Sequence, residues 1–205
     1  MATTIYYASD VHGSNRCFRK FLNAAKFYKA QVLVMGGDVL GKAIVFLEET
    51  RPGIFITKER GQRLELTSEE DVREFEKIAA DKGMYTYRCR EGEREALHAS
   101  GEVESIFERL MKERLLEWVA LADERLAGTG VRCYIMGGND DPPEVLSALN
   151  SGRIVHNPEA APVELDETSE MISVGWSNPT PWNTPRECSE DELAQRIDTL
   201  MTQVK

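Results

Sequence analysis

Three apolar runs along the chain stop in the same way. Residues 3–9, TTIYYAS, are rich in strand formers and end at Asp10. Residues 31–38, QVLVMGGD, form a continuous apolar run closed by two glycines and an acid, which reads as a short buried strand. Residues 131–141, VRCYIMGGNDD, repeat that design and lead into Pro142-Pro143, which opens a short helix. Between the first two runs, Phe18, Phe21, Leu22 and Ala25 recur at helical spacing behind Ser14, a predicted N-cap. Residues 1–40 therefore predict strand, helix, strand, and a right-handed βαβ unit would set the two strand ends side by side.

The middle of the chain has a different rhythm. AIVFLE, GIFITK and RLEL within residues 43–66 predict short strands, punctuated by Pro52-Gly53 and Gly61. TSEEDVREFEKIAADKG predicts a helix capped by Ser68 and stopped at Gly83, and MYTYRCR a further strand. Residues 102–127 predict a long helix with Ile106, Leu110, Leu115, Trp118, Leu121 and Leu126 on its apolar face and Gly128 as its stop. Beyond residue 150, RIV, VEL and EMISVGW are strand candidates, and SNPTPWNTPRE is a proline-rich loop. The loop's Trp176 and Trp182 are expected either to rim a substrate site or to pack over the sheet. Ser189 and Glu192 form a capping box for a last helix.

The 205 residues suit one domain, 1–205, with an inserted α/β segment at about 43–100. A hydrophobic fraction of 41% and a charged fraction of 29% are those of a globular chain. The net charge of −10 disfavours nucleic acid as a partner, because phosphate backbones select Lys and Arg. No apolar run reaches the roughly 18 residues of a spanning helix, and the N-terminus shows no basic segment followed by an apolar one. The expectation is a cytoplasmic protein with no membrane partner. Cys17, Cys89, Cys133 and Cys188 are scattered, as befits free thiols in a reducing compartment.

The chemistry lies in the strand exits: Asp10 with His12, Asp38 after Gly36-Gly37, and Asn139 after Gly137-Gly138. Ligands of α/β sheets gather beyond the carboxyl ends of strands. Carboxylates with an imidazole suit Mn, Fe or Zn, and glycines let the backbone approach an ion or a phosphate. If Asp10 and His12 sit on extended backbone, both reach one ion, and the two oxygens of Asp38 suit a bridge between two ions roughly 3.5–4 Å apart. Each piece alone is an ordinary turn; the three in order, each on a strand exit, are far more specific.

In these motifs the chain resembles the calcineurin-like metallophosphoesterases, especially their small bacterial and archaeal members. Asp10-Val11-His12-Gly13 matches the family's Asp-x-His, Gly36-Gly37-Asp38 its Gly-Asp, and Gly138-Asn139-Asp140 its Gly-Asn motif. The likeness runs to about residue 188. It implies an αββα sandwich of mixed sheets and a dinuclear divalent-metal centre that activates water to hydrolyse a small phosphoester. It implies Asp10, His12 and Asp38 as ligands of a first ion, Asp38 and Asn139 as ligands of a second, and Asn139 and Asp140 as the residues at the reacting phosphate.

The chain departs from the family in two places. Asp140 stands where the family usually has a His, and an ionised carboxylate is a poor acid. The Gly-His-x-His turn is absent: of three histidines only His12 lies in a motif, His98 and His156 reading as surface or loop residues. The expectation is that the last strands of the fold are missing from this chain. Two further accounts stay open: a partner chain that completes the site, and a non-catalytic scaffold for protein interaction. Missing strands would leave an open sheet edge, which predicts a homo-oligomer.

Overall fold

In this computed structural model, residues 3–59 and 61–205 are described. The chain opens with β1 (Ile5–Ala8), α1 (Asn15–Tyr28) and β2 (Val32–Gly36). It continues through β3 (Ala43–Arg51), β4 (Ile54–Glu59), β5 (Gln62–Leu66), α2 (Glu69–Asp81), β6 (Met84–Arg90) and α3 (Glu93–Ser100). Then follow α4 (Glu102–Leu126), β7 (Arg132–Met136), α5 (Pro143–Leu146), a 3-10 turn (Ser147–Ser151) and β8 (Val155–His156). β9 (Val163–Asp166), β10 (Ser169–Met171) and α6 (Glu190–Met201) complete it.

The first sheet has the order β1-β2-β7-β8, and every pairing in it is parallel. Its apolar runs carry no polar alternation because both faces of its central strands are covered: Val32, Leu33, Val34 and Met35 are all buried. One face packs on α1 and α4. There Phe18 stacks on Trp118 with ring centroids 4.2 Å apart, and Leu33, Met35, Cys133 and Ile135 complete the core. The other face is covered by the antiparallel β9–β10 pair, which brings Leu165 against Val32, Val34 and Tyr134. That cover does not reach β1, at the edge of the sheet, where Ile5 is 45% and Tyr7 63% exposed.

The second sheet, β5-β4-β3-β6, mixes antiparallel and parallel pairings and is built wholly from residues 43–90. It has a core of its own, in which Leu47, Phe55 and Leu66 meet Val72, Phe75 and Ala79 of α2. The architecture is thus α/β with parallel and antiparallel strands. It differs in detail from two mixed sheets: the first is all-parallel, and the mixed sheet is made of residues 43–90.

Three local expectations change. Residues 93–100 form α3, which Gly92 and Gly101 bound with left-handed backbone and no side-chain cap; its charged composition hid it. On α4 the fully buried positions include Met111, Val119 and Ala122, whereas Leu110 and Leu121 are only partly covered. The stripe is broad because α4 spans two cores: Ile106 packs with Phe46, Cys89 and Leu97, and Met111 onward with the first sheet. The strand expected over EMISVGW ends at Met171. Gly175 instead packs so close to the Gly137 carbonyl that a Cβ would lie 2.1 Å from it, and its N–H is satisfied by Glu159 Oε1 at 3.0 Å. That run is apolar because it lies beneath the third motif, with its backbone served by a side chain.

The caps fall where the residues ask for them. Ser14 accepts from Cys17 N to start α1 and donates to the Asp81 carbonyl at 2.6 Å. One hydroxyl thereby ties α1 to the end of α2. Ser189 and Glu192 form a reciprocal capping box on α6.

Candidate metal centre

Adjacent, parallel β1, β2 and β7 end together, so residues 9–14, 37–42 and 137–142 leave the sheet side by side. The first two loops interlock through the backbone. Asp10 N donates to Gly37 O at 3.1 Å, His12 N to Asp38 O at 3.0 Å and Gly13 N to Val39 O at 2.7 Å. This lattice holds Asp10 (φ 56°), His12 (φ 42°) and Asp38 (φ 50°) in the left-handed region. Asp and His tolerate that region better than most residues, yet it still costs on the order of 1 kcal/mol each. Only two other non-glycine residues among those described share it, Lys29 and Asn183, so the strained backbone is concentrated here.

The consequence is convergence. Asp10, His12 and Asp38 each present a ligand atom within 4.8 Å of the others. Extended backbone, the geometry expected for Asp10 and His12, is not how they meet; β1 has ended at Ala8, and two left-handed kinks aim the side chains. His12 Nε2 lies 3.9 Å from Asp10 Oδ1. His12 Nδ1 is buried with no hydrogen-bond partner, and Nε2 is the ring nitrogen placed near Asp10. Two carboxylates and an imidazole within reach of one another fit a divalent transition metal.

The third motif is pressed against the second. Gly37 and Gly138 touch, and a Cβ on Gly138 would lie 2.1 Å from Asp38 Oδ1, so this approach admits only glycine. Asp140 N faces the same Asp38 oxygen at 3.4 Å. The Asn139 amide donates through Nδ2 to Thr184 Oγ1 at 3.0 Å. The Asp140 carboxylate pairs with Lys42, whose ammonium pKa is raised, first by that hydrogen bond and further by the charges of Asp140, Asp38 and Asp10.

Asp141 is the keystone. It is fully buried and accepts from Val39 N at 3.0 Å, Leu40 N at 2.8 Å and Gly138 N at 2.7 Å. One carboxylate thus clamps the second motif to the third. Burial pushes its pKa up, against the three N–H groups that hold it down. Tyr85, on β6, reaches the same loop: its hydroxyl accepts from Gly41 N at 3.0 Å, and burial raises it to about 12. Arg114 of α4 lies over the Tyr85 ring at 5.0 Å and donates to Gly13 O at 2.7 Å. Gly83 packs against the His12 carbonyl. Tyr85 and Gly83 of the second sheet region therefore buttress the first and second motifs directly.

His98 and His156 stand apart from the cluster, beside Phe46 and Tyr134 respectively. Among the described residues, the cluster of acidic, His and Cys ligands is Asp10, His12 and Asp38. All four cysteines are free thiols. A cavity of about 560 Å³, lined by Glu159, Trp176, Arg186 and Arg196 among others, lies behind the third motif, and none of the three ligands lines it. Trp176 sits under Arg186 and Arg196 at 5.6 and 4.2 Å, whereas Trp182 is 79% exposed; only the first packs into the body of the protein.

Sequence reasoning missed Lys42 and the clamping role of Asp141, assigning only Asp140 to the site. Lys42 carries a legible signal, a cation four residues after Asp38 in the same exit loop. Nothing in the sequence tells which of Asp140 and Asp141 turns inward. Among the described residues, no helix is long and apolar enough to cross a membrane. No protein-family model, curated protein or solved structure matches the chain.

Proposed function

We propose that this chain is a metal-dependent phosphoester hydrolase with a calcineurin-like metallophosphoesterase fold, interrupted by an α/β insertion between its second and third motifs. The observation that carries this reading is the meeting of Asp10, His12 and Asp38 at two adjacent strand exits. Asp10, His12 and Asp38 hold a first divalent ion, Mn, Fe or Zn; Asp38 and Asn139 hold a second. Bound there, such ions polarise phosphoryl oxygens and lower the pKa of water.

The chain's own residues do the rest. Lys42 is 57% exposed at its side chain and brings a positive charge to an otherwise acidic loop cluster, where it draws in and orients a small phosphoester. Asp140 holds Lys42 in place and acts on the incoming phosphate only through that partner. Asp141 and the backbone lattice keep the ligands converged without help from an ion. The strained backbone at three ligands is the cost of that preorganisation.

The test compares the Mn-supplemented protein with Asp38→Ala on a generic phosphomonoester and phosphodiester. Loss of hydrolysis in the variant is expected; equal activity in both proteins overturns the reading. A second reading, a non-catalytic scaffold, is favoured by one observation: neither His98 nor His156 joins the cluster, which leaves the second ion short of ligands. Chelation followed by reloading separates the two, because a scaffold retains no Mn, Fe or Zn at micromolar levels.

A further inference from the structure

The proline-rich loop carries a hydrogen-bond chain that ends on Asn139. Glu187 Oε1 accepts from the Thr180 hydroxyl, from Thr184 N at 2.7 Å and from Thr184 Oγ1 at 2.7 Å. Thr184 Oγ1 in turn faces Asn139 Nδ2 at 3.0 Å. The order of donors along this chain is forced. The Thr180 hydroxyl first, then the Thr184 backbone N–H, hold the Glu187 carboxyl down to about 2, so at neutral pH it is ionised and only accepts. The single proton of the Thr184 hydroxyl must then point at Glu187. The lone pairs left on that oxygen can only accept, so the end of Asn139 that meets them is its NH₂. The amide cannot sit the other way round, and Oδ1 is left free of Thr184.

The backbone around Asn139 is held by the same turn. Arg186 N donates to Asn139 O at 3.0 Å, and Arg186 Nη1 donates to Gly138 O at 3.3 Å. Arg186 is buried and anchored by Glu159. Thr184, Arg186 and Glu187 thus grip Asn139 by side chain and main chain together.

We propose that Thr184 and Glu187 are positioning residues that fix the orientation of the Asn139 amide, so that its oxygen rather than its NH₂ is available to a cation. The inference rests on the reading of Asn139 as a ligand of the second ion. A carbonyl oxygen is a ligand for a divalent cation, whereas an NH₂ group offers it only protons. Orientation by outer groups of this kind typically changes metal affinity by roughly 10–100-fold.

The test is a calorimetric titration of the intact chain with MnCl₂, for the natural protein, Thr184→Val, Thr184→Ser and Glu187→Ala. Thermal unfolding alongside confirms that each variant is folded. Valine keeps the shape of threonine but cannot accept from Asn139. Alanine at 187 frees the Thr184 hydroxyl to donate to Asn139 Oδ1, which allows the amide to invert. The expected result is a second-ion affinity lowered roughly 10–100-fold in Thr184→Val and Glu187→Ala, an unchanged first ion, and natural behaviour in Thr184→Ser. A merely structural role would lower the melting temperature without separating the two ions. Two ions bound equally well by Thr184→Val and the natural protein overturn the proposal and leave the metal site standing. No Mn bound by the natural protein overturns both.

Discussion

Asp140 and Asp141 are neighbours of identical chemistry, and the structure assigns them opposite energetic weights. Replacing Asp141 by Ala removes the acceptor for Val39 N, Leu40 N and Gly138 N. Each buried donor left without a partner costs about 1–3 kcal/mol. Relief from burying a carboxylate, whose pKa burial raises, offsets part of that sum. The net expectation is a loss of about 3–5 kcal/mol, the lower part of the sum that three such donors imply. For a chain of this size, that corresponds to a fall in melting temperature of about 6–20 °C. Replacing Asp140 by Ala breaks an ion pair with Lys42, which is 57% exposed, and should cost less than about 1 kcal/mol. Asp141→Asn should fall between. In the present geometry Oδ2 serves Val39 and Gly138 while Oδ1 serves Leu40, so an amide oxygen in the Oδ2 place keeps two bonds and opposes its NH₂ to the Leu40 N–H. The assay is thermal and urea unfolding in excess chelator, so that metal binding adds nothing to the difference. Equal destabilisation by Asp140→Ala and Asp141→Ala would refute the keystone role.

Three further outcomes can be checked independently. Lys42→Ala should weaken inhibition by inorganic phosphate about tenfold, the worth of one charge-assisted hydrogen bond; an unchanged inhibition constant removes Lys42 from the site. Glu187 has a folded pKa of about 2 against an ordinary 4.5, so the stability it adds is fully present above about 4.5 and fades as pH falls towards 2. The urea-midpoint gap between the natural chain and Glu187→Ala should therefore narrow between about pH 6 and about pH 3, and a constant gap contradicts the assignment. The edge strand β1, with Ile5 and Tyr7 exposed beside it, is expected to pair with a second copy; sedimentation showing a clean monomer at high concentration counts against this.

The sequence made the strand exits legible because hydrophobic runs and their polar stops are local signals. QVLVMGGD and CYIMGGNDD show that a buried strand ends and that glycine brings the backbone near something. The strands and helices between Ala43 and Ser100 were partly plain, since the strand rhythm changes at Ala43 and the long helical stripe begins after Gly101. What stayed hidden depends on distant partners. The left-handed kinks at Asp10 and His12 are imposed by bonds to Gly37 and Asp38, more than twenty residues away. The inward turn of Asp141 is decided by amides of the second motif. The role of Thr184-Pro185-Arg186-Glu187 is invisible in a stretch that reads only as a proline-rich loop, because its partner Asn139 lies 45 positions earlier than Thr184. The pairing of β2 with β7 joins strands separated by residues 37–131, and no local period encodes that.

Anomalous diffraction at the manganese edge, from crystals of the natural chain soaked in MnCl₂, tests the central claim most directly. The account predicts a strong peak within coordination distance of Asp10, His12 and Asp38, and its loss in Asp38→Ala. Manganese peaks elsewhere on the protein with none among these three side chains would contradict it.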